Sequence, residues 1–151
     1  MSPEPWAVHE VIGRWWCSYD QGDFDAFPGL LTADVRFTCR TDTGETEYEE
    51  FVRADVRGRD DVVAWQIDHR RNSPYPLRHN ATNVHVVARR DEEADFASYP
   101  FVTHVADGIA PLSTAIVTGS VREEHGSARL AGLHIVLDTM RSVVFDERPR
   151  R

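Results

Sequence analysis

Apolar residues recur at helical spacing over the first half of the chain and at alternate positions over the second half. Val8, Val11, Ile12, Trp15, Trp16 and Tyr19 form one wide apolar face, with Glu10 and Arg14 opposite. Pro5 suits the first turn of that helix, and Gly22 suits its end. Asp20 follows Trp16 by four residues, so it falls at the rim of the buried face. Asp23-Phe24-Asp25 opens a second, short helix through Phe27, Leu30 and Leu31. Val35, Phe37 and Cys39 then alternate with polar residues, the mark of a half-buried strand. Residues 41–50 are polar and acidic and read as a loop or lid, with Phe51, Val52 and Val56 available to pack it down. A third helix starts at Gly58-Arg59-Asp60-Asp61 and passes Val62, Val63, Trp65, Gln66, Ile67 and His69. It ends near Arg70-Arg71, where cations suit its C-terminus.

Asn72-Ser73-Pro74-Tyr75-Pro76 breaks the pattern, and strands follow at about 77–90, 94–106, 112–124 and 128–143. The turns between them are Asp91-Glu92-Glu93, Asp107-Gly108 and His125-Gly126, which predicts an antiparallel meander. Pro100, inside the second long strand, implies a bulge or an edge. The whole is an α+β domain, 1–151, with three N-terminal helices packed in the concave face of one curved, mainly antiparallel sheet. A cone of that shape leaves a pocket at its open end. His79 stands near the start of the first long strand. On an unbroken strand it shares a face with Ala81, Asn83 and His85, opposite Val84 and Val86, so it reaches the interior only if a bulge shifts the phase.

Composition narrows the partners. The 151 residues are 41% hydrophobic and 28% charged, as in an ordinary globular chain, with a net charge of −8. That charge argues against nucleic acid and anionic membranes, and the basic end, Arg148 to Arg151, is too short to reverse it. No run approaches the roughly 18 apolar residues of a membrane span, and MSPEPW carries no signal-peptide pattern. Two cysteines, Cys17 and Cys39, fit free thiols in a reducing cytoplasm. His9-Glu10 begins like a zinc-binding helix, but Gly13 stands where the second histidine belongs. Asp20, Asp23 and Asp25 lack a calcium loop's spacing, and there is no phosphate loop or nucleophile elbow. Neither a metal nor an organic cofactor is expected.

The stretches WCSYDQGDFDAF, ADVRF, GRDDVVAW, RHNATNVHV and HIVLD, in this order and spacing, resemble the SnoaL-like branch of the NTF2-like (cystatin-like cone) superfamily over residues 8–140. That superfamily holds scytalone dehydratase, polyketide cyclases, ketosteroid isomerase and the small subunits of ring-hydroxylating dioxygenases. In scytalone dehydratase an acid ending the first helix pairs with a strand histidine, and Asp20 and His79 occupy those positions. The resemblance also sets Tyr19 just before the acid and makes His104 the candidate for a second pocket histidine. Where the dehydratase has a further tyrosine this chain has Cys39, a poor donor. RHNATNV and HIVLD also closely resemble the dioxygenase small subunits, which hold no catalytic residues of their own.

The expected chemistry follows. A carboxylate bonded to one imidazole nitrogen fixes the tautomer and raises the basicity of the other. His79 and Asp20 would then move a proton on a small hydrophobic, ring-containing molecule held by Trp16, Phe37, Val35, Tyr19, Cys39 and His104. The activity would be that of a lyase or isomerase: dehydration, isomerisation or cyclisation. The plainer reading leaves Asp20 as a helix-end residue, His79 as a satisfied strand histidine, Tyr19 as core packing and His104 as exposed. The alternative function is a non-catalytic small-subunit-like or ligand-binding module. His85 and His134 read as strand-surface residues, and Asp138 as a strand end. Thr103, Thr114, Thr118 and Val117 on the late strands suit a sheet-to-sheet homodimer.

Overall fold

The computed structural model describes residues 1–105, 108 and 112–142. Helix α1 (Pro5–Gln21) is followed by a 3-10 turn (Phe24–Ala26), α2 (Phe27–Leu30) and β1 (Leu31–Thr41). Next come α3 (Glu49–Val52), β2 (Ala54–Arg57) and α4 (Arg59–Arg71), then β3 (Leu77–Arg90), β4 (Glu93–His104), β5 (Leu112–Glu124) and β6 (Ser127–Leu137). The six strands form one sheet in the order β2-β1-β6-β5-β4-β3, antiparallel except where β1 runs parallel to β6. The sheet curves without closing, and α1, α2 and α4 pack against it. The fold is the expected α+β cone.

α1 forms where the apolar face requires it. Pro5 sits in its first turn, and Gly22, at φ 69°, ends it with its N–H on the Tyr19 carbonyl oxygen. Val8, Trp15 and Tyr19 are buried, and Trp15 lies against Phe27 with ring centroids 4.9 Å apart. Gly119 admits no side chain, since a Cβ there would strike the Gly132 carbonyl and the Phe96 ring. Next to it the β5–β6 register shifts between Ser120 and Val121, a bulge that helps bend the sheet.

Several local expectations need correction. The stretch after residue 48 is not all loop, because it carries α3 and β2. β2 pairs Val56 with Phe37 and is too short for its alternation to stand out in sequence. β1 starts at Leu31, fully buried, rather than after a longer second helix. Pro100 lies neither at an edge nor at a bulge, since β4 is flanked by β3 and β5. Its register to β5 stops at Ser98↔Val117 and resumes at Phe101↔Thr114, so the missing N–H falls in a gap of the ladder. β6 ends at Leu137, before the expected 143. Val117 faces the core at 2% exposure, leaving Thr114, Ile116 and Thr118 on the outer face of β5. The turn residue Asp107, the expected end of the second long strand at 106, and Arg148 to Arg151 lie outside the described residues.

β3 decides where His79 points. Its register to β4 shifts between Thr82 and His85, and Asn83 takes the left-handed conformation at φ 53°. The bulge reverses the phase, so Leu77, His79 and Ala81 before it share the inner face with Val84 and Val86 after it. His79 and the valines therefore face the same interior.

Candidate active site

Asp20 ends the buried stripe of α1 and meets the start of β3. Its Oδ1 lies 2.6 Å from His79 Nδ1, and its Oδ2 accepts the His79 backbone N–H at 2.7 Å. One carboxylate thus holds both the imidazole and the strand that carries it. Both side chains are largely shielded, at 5% and 13% exposure. The Trp16 ring stacks on His79 at 4.3 Å and 5°, and Tyr19 meets it edge-on at 5.4 Å. With Nδ1 bonded to the carboxylate and one face covered by indole, Nε2 is the ring nitrogen left for other work.

α4 supplies what the sequence reading overlooked. Arg70 is buried and donates from Nε to the Tyr19 carbonyl and from Nη2 to the Asp20 carbonyl, each at 2.9 Å. It also donates from Nη1 to Pro74 at 3.1 Å. Arg70 stands in the last turn of α4, as expected, and its side chain also caps the C-terminus of α1, where the helix dipole favours a cation. His69 lies one residue earlier, its Nδ1 2.6 Å from the Tyr19 hydroxyl. Its ring lies between Phe51 (4.4 Å) and Trp65 (4.7 Å). Burial, with Arg70 and a protonated His79 acting the same way, lowers the His69 pKa to about 4. Burial pushes Tyr19 up to about 12, against the pull of Ser73 and Arg70, so its hydroxyl keeps its proton. The signal that could have found these residues is present in the sequence: Gln66, His69 and Arg70 continue the stripe of buried Val62, putting polar groups where a helix should be apolar.

These side chains enclose a cavity of about 80 Å³ walled by Trp15, Trp16, Phe37, Trp65 and Val102, with Tyr19, Cys39, Gln66, His69 and His79 also on the wall. Trp16, Phe37, Tyr19 and Cys39 are therefore gathered with His79 as expected. Burial pushes the Cys39 thiol to about 12, which keeps it a neutral lining group. Two expected members are not gathered. His104 shares the inward phase of Val102 but stands beyond the cavity wall at the end of β4, and Val35 is fully buried deeper in the core. Asp138, just past β6, accepts a hydrogen bond from Thr114 at 2.7 Å. Among the described residues no three His, Cys, Asp or Glu side chains are grouped to hold a metal.

The SnoaL-like domain family matches residues 3–136. This chain belongs to that family. No curated protein matches it in sequence. Solved structures share its fold at low identity. A protein of unknown function with a cystatin-like fold from Nostoc punctiforme superposes with a TM-score of 0.71 at 17% identity, covering 93% of this chain and 97% of that one. ActVI-ORFA from Streptomyces coelicolor superposes at 0.68 with 18% identity, over 87% and 94%. The beta subunit of benzoate 1,2-dioxygenase from Burkholderia mallei superposes at 0.65 with 14% identity, over 86% and 87%. Such likeness establishes the cone for this SnoaL-like chain and leaves its chemistry to be argued from the site.

Proposed function

We propose that this SnoaL-like protein is a cofactor-free lyase or isomerase of a small hydrophobic, ring-containing molecule, with His79 as the proton-transfer residue and Asp20 as its positioning partner. The observation that supports this reading is the double grip of the Asp20 carboxylate on His79 Nδ1 and backbone N–H, beside an apolar cavity. Asp20 fixes the Nδ1–H tautomer, so Nε2 presents a lone pair. Nε2 takes a proton from a carbon next to an electron-withdrawing group, and the electron pair left behind forms a carbon–carbon double bond. In dehydration a hydroxyl departs with the carried proton as water. In isomerisation the proton returns at another carbon; in cyclisation the pair attacks a carbonyl carbon of the same molecule, whose C=O π bond opens to an alkoxide that takes the carried proton. A panel of hydroxylated ring compounds incubated with the wild type and His79→Ala tests this. Turnover in the wild type that disappears in the variant supports the proposal, and turnover unchanged in the variant contradicts it.

The cavity's size favours a second reading. At about 80 Å³ it is smaller than the roughly 150 Å³ apolar cavity known to admit benzene, so a ring enters only if the walls give way. Val52, on the four-residue helix α3, is part of that wall. A non-catalytic, small-subunit-like module, akin to the dioxygenase beta subunit in fold, needs no larger space. A chain inert on the panel that forms a stable complex with a separate oxygenase subunit would establish that reading.

The assembly belongs to the same proposal. Tyr99, Phe101 and Ile116 are exposed on the outer face of the sheet beside Thr114 and Thr118, and a homodimer through that face would cover them. Cys17 and Cys39 are both free, which suits the cytoplasm. No described helix is long and apolar enough to cross a membrane. Light scattering at twice 17.2 kDa is expected, and a monomer at micromolar concentration contradicts the dimer.

A further inference from the structure

Three buried nitrogen groups on the cavity wall, Trp15 Nε1, Gln66 Nε2 and His69 Nε2, have no hydrogen-bond partner among the described residues. Buried polar groups are ordinarily paired, and each exception calls for a reason. Here the three residues line one cavity. Trp15 is 1% and Gln66 4% exposed, and Gln66 and His69 are one turn apart on α4. His69 has both ring faces covered by Phe51 and Trp65 and its Nδ1 engaged by Tyr19, so Nε2 is the ring nitrogen left without a partner.

The chemistry of the three is the same. Tyr19 keeps its proton, and 2.6 Å to Nδ1 is a hydroxyl-donor length for a neutral pair, so Tyr19 donates and His69 carries its proton on Nε2. An indole N–H and a carboxamide N–H can likewise only donate. All three are neutral groups, and a neutral donor set suits an oxygen that is uncharged on entry and gathers charge during reaction.

We infer that Trp15, Gln66 and His69 form an oxygen-binding subsite that takes the carbonyl oxygen of a ketone, on the same cavity that His79 lines. The inference rests on the proton-transfer reading for its purpose but not for its test. A carbonyl held there withdraws electrons from the adjacent carbon, the place where His79 would remove a proton. The donors receive the acceptor they lack only when ligand is bound, so in the free protein they lower stability in favour of binding.

The test uses two probes of similar shape, cyclopentanone and methylenecyclopentane, titrated into the full-length protein, together with the melting temperature of each variant. The wild type should bind the ketone about tenfold more tightly than the alkene, the scale of one or two buried hydrogen bonds. His69→Phe and Gln66→Leu should each shrink that preference, and the double variant should abolish it. Gln66→Leu should also raise the melting temperature of the ligand-free protein by a few degrees, because it removes a buried donor without a partner, an effect a packing role for Gln66 would reverse. Nitrogen NMR of the wild type should find the His69 proton on Nε2. Equal binding of the two probes, binding of neither, a preference that survives the double variant, or a His69 proton on Nδ1 would overturn the inference. A lost preference with proton transfer retained condemns only the subsite, and the converse condemns only the dyad.

Discussion

Arg70 holds Asp20 by its backbone, with Nη2 2.9 Å from the Asp20 carbonyl oxygen, while the Asp20 side chain holds His79. The C-terminal turn of α1 is thus fixed from α4 on one side and from β3 on the other. The site's geometry depends on a residue that does not itself line the cavity. Replacing Arg70 by Met removes three donors from buried or half-buried carbonyls and should cost on the order of 3 kcal/mol. Lysine should rescue little, because one ammonium cannot reproduce the planar fork. Urea unfolding of the two variants checks both statements. Arg70→Lys as stable as the wild type would refute the clamp.

Asp20→Asn tests positioning apart from stability. Asparagine keeps an oxygen for the His79 backbone N–H but presents an amide where a carboxylate faced the ring, so the fold should survive and the preferred tautomer should be lost. Turnover of any substrate identified from the panel should fall on the order of 10²–10⁴-fold, with the melting temperature within a few degrees of the wild type. A variant of normal rate would reduce Asp20 to a structural role.

His69 gives stability a pH dependence of definite sign. Its folded pKa, about 4, lies below the ordinary 6.5, so the unfolded chain binds more protons between those values. Stability should therefore be full above pH 6.5 and fall as the pH drops towards 4. The loss should be on the order of 2 kcal/mol once solvent screening of this partly open residue is allowed for. His134, also lowered by burial, adds to the same slope. Glu49 is opposed by burial but held below its usual range by Thr41 and Arg53, and acts only at lower pH. Arg70, Asp68 and, when protonated, His79 are the charges around His69, and of these Arg70 and His79 disfavour its protonation. Subtracting the unfolding profile of His69→Phe from that of the wild type isolates the effect. A flat difference between pH 6.5 and 4 would contradict the assignment.

What the sequence disclosed was what periodicity can carry. The apolar face of α1, the bounds of β3 and β5, and the glycine after α1 are all local signals, and the structure places them where the pattern does. The pairing of Asp20 with His79 was reached through resemblance, since residues 59 apart in sequence share no local signal. The phase of His79 depended on a bulge at Asn83; asparagine tolerates positive φ better than most non-glycine residues, but that tolerance alone does not place a bulge. The helix end at Arg70-Arg71 was legible, but which helix Arg70 serves is a tertiary fact. Gln66 and His69 looked like ordinary members of an amphipathic helix until the cavity they face was defined. His104 failed as a pocket residue because inward phase alone does not say how far along a strand the cavity extends.

The central claim is that His79 moves a proton, and hydrogen–deuterium exchange at carbon measures that step whatever the net reaction. Cyclic ketones and hydroxyketones are incubated with the protein in D₂O, and deuterium at the carbons next to the carbonyl is followed by NMR. The account predicts exchange catalysed by the wild type, slowed on the order of 10²–10⁴-fold in Asp20→Asn and reduced to the uncatalysed rate in His79→Ala. A wild type that binds these ketones without exchanging their protons, or a His79→Ala variant that exchanges them as fast as the wild type, would contradict it.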